Sequence, residues 1–111
     1  MQAGRELDAL VAKRFPHLVM KKDGDLFWTG GGRHFGHWRF RPSTDIAVAL
    51  ALLNKMQEQH ASAWQGLHLD WDGEQWRCFW YDGYPENVKS VAAPTAPHAI
   101  CLAAVKAFGV V

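Results

Sequence analysis

The chemically richest residues of this chain crowd into one stretch. From Phe27 to Arg41 aromatic rings alternate with bases in a frame loosened by Gly30-Gly31-Gly32. Single-stranded nucleic-acid binders use this combination, stacking rings on bases and pairing arginines with phosphate. On that reading Trp28, Phe35 and Trp38 are stacking platforms beside Arg33, Arg39 and Arg41, and His34 and His37 complete the candidate set. The same rings and arginines suit a protein interface, because Trp and Arg carry a disproportionate share of interface energy. A third reading is architectural: a loop and an edge strand whose Phe and Trp complete the core while Arg and His face water.

Other chemistry finds less support. The glycine run lacks the Lys and following Ser or Thr of a phosphate loop, and it lacks the spacing of a dinucleotide fold. His34 and His37 can in principle share a site with Asp70 or Asp72. No Cys-x-x-Cys or His-Glu-x-x-His array accompanies them, however, so neither a metal nor a cofactor is expected. Cys78 falls on a predicted core face and Cys101 in an alanine-rich helix one turn from His98, which predicts two buried free thiols rather than nucleophiles. Asp70 and Asp72 bracket Trp71 and read as turn chemistry and a solvated strand face. No catalytic residue is assigned, and the chain is not expected to be an enzyme.

Composition sets the frame for these residues. The 111 residues are 49% hydrophobic with a formal charge of +1, which predicts a single globular domain over 1–111 without a field strong enough to drive it onto DNA or an anionic membrane. Any nucleic-acid site must be a local patch. The start Met1-Gln2-Ala3-Gly4-Arg5-Glu6 lacks the features of a signal peptide, and no apolar run approaches the roughly 18 residues of a spanning helix, so a cytoplasmic location without a membrane partner is expected.

The elements that must position the candidate residues follow from periodicity. Ala3, Leu7, Leu10, Val11 and Phe15 recur at helical steps, with Arg5, Glu6, Asp8, Lys13 and Arg14 opposite and Pro16 as the stop. Leu18-Val19-Met20 and Leu26-Phe27-Trp28 flank an Asp23-Gly24 turn, and a further strand is expected from Phe35 to Arg41. A second helix opens at Ser43-Thr44-Asp45, capped by Ser43 or Thr44, with Ile46, Ala49, Leu50, Leu53 and Met56 as its apolar face.

The strongest strand signal is a 67–81 hairpin around Asp72-Gly73. A two-residue turn there places Trp71 opposite Glu74 and Leu69 opposite Trp76, sending Leu67, Leu69, Trp71, Trp76, Cys78 and Trp80 to the core face. Another strand is expected from Val88 to Ala92. The last helix is capped by Thr95, buries Ala96, Ile100, Ala103, Ala104, Ala107 and Phe108, and ends at Gly109. Together these predict an α+β fold with three helices and a mainly antiparallel sheet.

Three segments, Ala3 to Ala12, Ser43 to Ala47 and Thr95 to Cys101, together resemble the phage ABA sandwich family, small proteins of phages and prophages. The resemblance covers about a quarter of the chain, with its pieces in the family's order, and it implies a layered α/β/α sandwich encoded by a phage or prophage. It implies no activity, cofactor or catalytic residue. The chain departs from the family pattern between Gly30 and Arg41, and Pro42 touches Ser43 directly where an aromatic is expected. The matching strings coincide with predicted caps and buried faces, so they read as fold determinants. The expected function is that of a phage or prophage accessory protein that binds a host or phage protein, inhibiting a host defence system such as CRISPR. Single-stranded nucleic-acid binding through 27–41 is the alternative.

Overall fold

The computed structural model describes residues 1–29, 38–59, 68–81 and 88–107. Helix α1 spans Arg5–Arg14 and buries Leu7 and Val11, with Phe15 buried just beyond its end. Glu6 and Asp8 in its first turn and Lys13 and Arg14 in its last complement the helix dipole. Pro16 ends it as expected, and a 3-10 turn, Pro16–Leu18, carries the chain onward. Two expectations fail: Ala3, placed on the apolar face, precedes the helix and is exposed, and Asp8, assigned to the polar side, is 5% exposed. Periodicity places Asp8 by its polarity, but a backbone amide from another segment binds it, as described below.

Strands β1 (Val19–Lys22) and β2 (Asp25–Trp28) pair antiparallel with Lys22 opposite Asp25. The loop is Asp23-Gly24, whose φ values of 53° and 81° are the two positive angles a type I′ turn requires. The strand expected from Phe35 to Arg41 is shorter among the described residues. Trp28 N–H donates to Trp38 O over 2.9 Å, Phe40 N–H donates to Leu26 O over 2.7 Å, and Phe27 and Arg39 form an isolated bridge. Residues 38–40 thus lie along β2 as a strap. Pro42 stands where the next ladder amide is needed, and having no N–H it ends the pairing.

Helix α2 spans Ile46–Gln59. Its cap is Asp45 rather than Ser43 or Thr44, since Asp45 Oδ1 accepts the amides of Ala47 at 3.0 Å and Val48 at 3.5 Å. The buried residues are Val48, Ala49, Leu52 and Met56, whereas Ile46 and Leu50, expected inside, are 47% and 45% exposed. The run from Ile46 to Leu53 is apolar all round, so its own period cannot fix which side turns inward.

Strands β3 (His68–Trp71), β4 (Trp76–Tyr81) and β5 (Val88–Ala93) form a second antiparallel sheet in that order. The predicted hairpin is present, but its register differs: Trp71 faces Trp76 and Leu69 faces Cys78. The turn has moved to Gly73-Glu74. Its cause is the Asp72 carboxylate, whose Oδ1 accepts the amides of Glu74 at 2.9 Å and Gln75 at 2.8 Å while Gly73 takes φ 103°. The pairing slips by two residues, an even number, so every side chain keeps its predicted face. Cys78 and Trp80 are buried and Leu69 and Trp76 pack against the core, but Trp71, at the strand end beside the turn, is 52% exposed. Leu67 lies outside the described residues.

Helix α3 spans Ala96–Ala107, with the Thr95 hydroxyl accepting the His98 amide at 3.3 Å as predicted. It packs against α1, α2, β4 and β5, a contact made close by Ala96, Ala99, Ala103 and Ala104, all buried. Phe108 and Gly109 lie outside the described residues. One apolar cluster joins α1, β2, the strap, α2, β4 and α3. Among the described residues three helices and two antiparallel sheets give the expected α+β class, with the strands divided between the two sheets.

Candidate functional site

The strap collects part of the predicted binding set and rejects one member of it. Trp28 is 8% exposed and stacks on Phe40, their ring centroids 6.0 Å apart and their planes 4° from parallel. This pair belongs to the core, so Trp28 is unavailable as a stacking platform. The cause lies in the register: with Trp28 opposite Trp38, Phe40 is its diagonal neighbour across the strap, within reach of a large ring. Phe27 is half-buried. Trp38, by contrast, is 53% exposed.

Arg39 and Arg41 follow Trp38 along the strap, and both are exposed. Arg39 approaches Asp25 at 3.8 Å, a long pair between exposed side chains that holds the guanidinium weakly and leaves it open to a stronger acceptor. The Arg41 carbonyl accepts the amides of Thr44 and Asp45 at 3.2 and 2.9 Å, folding the chain back into α2. The structure therefore carries Trp38, Arg39 and Arg41 on one short segment held by the hydrogen bonds to β2, by the Trp28–Phe40 stack and by the start of α2. Arg33, His34, Phe35 and His37 lie outside the described residues.

A polar knot behind the strap escaped sequence reasoning. The Ser43 amide donates to Asp8 Oδ1 over 2.8 Å, and the Gly4 amide donates to Ser43 Oγ over 2.9 Å. Gly4 is the residue before α1 and carries no capping side chain, and Ser43 satisfies its amide from a distant part of the chain. Burial pushes the Asp8 carboxyl above its ordinary value, and the Ser43 bonds and the positive Arg41 only partly offset this. The signal was present in the sequence: Asp8, Ser43 and Cys101 each lie in one of the three strings that carry the family resemblance. The negative Asp8 also raises the Cys101 thiol, adding to burial.

Nucleophilic chemistry finds no foothold at the two cysteines. Both are free and buried, and burial pushes the Cys78 thiol up to about 12. Among the described residues no group of three or more His, Cys, Asp or Glu gathers in a metal-holding arrangement. The His98 ring nitrogen Nε2 lies 2.7 Å from Met1 O and fastens the chain start to α3. No helix among the described residues is long and apolar enough to cross a membrane. The arrangement can offer a surface: one large exposed ring with two bases close by on a segment bonded to β2.

Comparison with known proteins gives one relationship. A family model described as the phage ABA sandwich domain matches residues 9–105, a span that runs from within α1 to within α3. No curated protein and no solved structure matches the chain.

Proposed function

Because the chain belongs to the phage ABA sandwich domain family, we propose that it is a phage or prophage accessory protein that acts by binding another protein rather than by catalysis. The observation that carries this reading is the strap: Trp38, 53% exposed, is followed within three residues by exposed Arg39 and Arg41 on backbone hydrogen-bonded to β2. Trp and Arg are the residues most enriched among interface hot spots, and a preordered segment loses little conformational freedom on docking. The class of target we put first is a host defence machine such as a CRISPR complex, met in the host cytoplasm.

The test is binding of purified host defence complexes to the wild-type chain and to Trp38→Ala and Arg41→Ala variants. Retention by wild type and loss of about thirtyfold or more in the Trp38→Ala variant supports the reading, since truncating a hot-spot residue costs about 2 kcal/mol or more. Wild-type and variant chains that bind alike, or no complex that binds wild type, overturn it. Single-stranded nucleic acid is the rival occupant, favoured by the same ring and arginines and weakened by the burial of Trp28. It predicts oligonucleotide binding that falls steeply as salt rises.

A further inference from the structure

We infer that the tip of the β3–β4 hairpin is a second docking surface, shaped for an arginine-bearing basic segment of a partner protein. Trp71 is 52% exposed, yet its ring is braced: it lies 5.6 Å from the ring of Trp76 at an interplanar angle of 57°, and Trp76 in turn packs against the core. A ring held in place before a partner arrives gives up little rotamer freedom on docking. Large exposed rings of this kind are what interfaces use as anchors.

Charge identifies what fits. Between Asp70 and Arg77 three acids stand against one base. The Asp72 carboxylate is occupied, by the Arg77 guanidinium at 2.8 Å and by the turn amides, whereas Asp70 and Glu74 are exposed on either side of it. Such a tip repels phosphate, so a nucleic acid is disfavoured here. A guanidinium can lie over the indole face of Trp71 by cation–π contact, and a neighbouring cation can reach Asp70 or Glu74. The guanidinium plane stacks on a ring in a way that an ammonium does not, which gives arginine the preference over lysine. This surface differs from the Trp38 strap in place and in charge, so the two readings stand or fall separately.

The experiment is a fluorescence-anisotropy titration of the whole chain with labelled nona-arginine, nona-lysine and nona-glutamate at low salt. Nona-arginine is expected to bind more tightly than nona-lysine, and nona-glutamate not at all. Trp71→Ala should weaken nona-arginine about two- to fivefold, the equivalent of an exposed cation–π contact. The pair Asp70→Asn and Glu74→Gln should weaken both basic peptides and flatten their salt dependence, while Trp38→Ala leaves them unchanged. Equal binding by wild type and Trp71→Ala, equal affinity for the two basic peptides, or no binding overturns the inference. So does a dimer in sedimentation that Trp71→Ala dissociates, because the occupant is then a second copy. An unaltered far-UV spectrum in each variant shows that the fold is intact.

Discussion

The backbone amide of Ser43 donates to the carboxylate of Asp8 over 2.8 Å in a setting where both residues are at most 5% exposed. Thirty-five positions separate the two in sequence. The bond ties the first turn of α1 to the segment entering α2, and Cys101 of α3 is close enough to feel the charge on Asp8. Asp8, Ser43 and Cys101, one from each string of the resemblance, are therefore brought together around one buried contact.

Removing the acceptor should be costly and replacing it should not. Asp8→Ala leaves the buried Ser43 amide unpaired and is expected to cost about 1–3 kcal/mol in chemical denaturation. Asp8→Asn keeps an acceptor oxygen and drops the buried charge. Since burial raises the Asp8 carboxyl above its ordinary 3.8, the folded state holds this proton more tightly than the unfolded chain does. The stability that results is complete below 3.8 and is lost as pH rises through the raised folded value. Wild type should therefore lose melting temperature relative to Asp8→Asn as pH rises through that window. Parallel curves for the two would contradict the assignment.

Trp28, Phe40 and Trp38 are neighbours along the strap with opposite roles. Phe40→Ala opens a gap beneath Trp28 and should destabilise by about 3–5 kcal/mol. Trp38→Ala should shift stability by no more than about 0.5 kcal/mol, as surface changes do, and act on partner binding alone. Urea unfolding of the two variants side by side decides the assignment, and comparable losses would place Trp38 in the core.

The two thiols should be silent in the folded protein. With Cys78 pushed up to about 12 and Cys101 higher still, neither forms appreciable thiolate near pH 8. Iodoacetamide is expected to label neither in native buffer and both in denaturant, as read by intact mass. Rapid native labelling of either would show an open route to the core.

The β3–β4 turn depends on Asp72 and Gly73. The amides of Gln75 and Glu74, then Arg77, hold the Asp72 carboxyl below its ordinary 3.8, so its contribution is present above that value and fades as pH falls through the depressed one. Asp72→Asn should lessen the acid sensitivity of the hairpin, followed by tryptophan fluorescence. Gly73→Ala puts a side chain at φ 103° and is expected to cost about 1–3 kcal/mol in thermal unfolding.

How much of this was legible in the sequence depended on whether each element carried a polar contrast. Helix α1 has charges opposite Leu7, Val11 and Phe15, and those residues are buried as predicted; α3 has Thr95 and Pro97 to mark its start. Helix α2 offers apolar residues on all sides of its first half, and only packing decides that Val48 and Leu52 turn inward while Ile46 and Leu50 face out. The Asp23-Gly24 turn was read correctly because nothing competes with it, whereas at Asp72 the carboxylate takes the turn amides and moves the loop by one residue. In the candidate site, composition marks Trp28 and Trp38 alike. Only the strap register, which sets Phe40 against Trp28, separates a core ring from an exposed one.

The position of α3 bears on how the chain can be made. Helices α1 and α2 each pack against α3, and so do β4 and β5, yet α3 comes last of these elements in the order of synthesis. On a ribosome the earlier helices must wait with their apolar sides uncovered until residues 96–107 emerge. Nascent chains stalled before that point should engage chaperones and yield to protease, and emergence of α3 should trigger consolidation in a single late step.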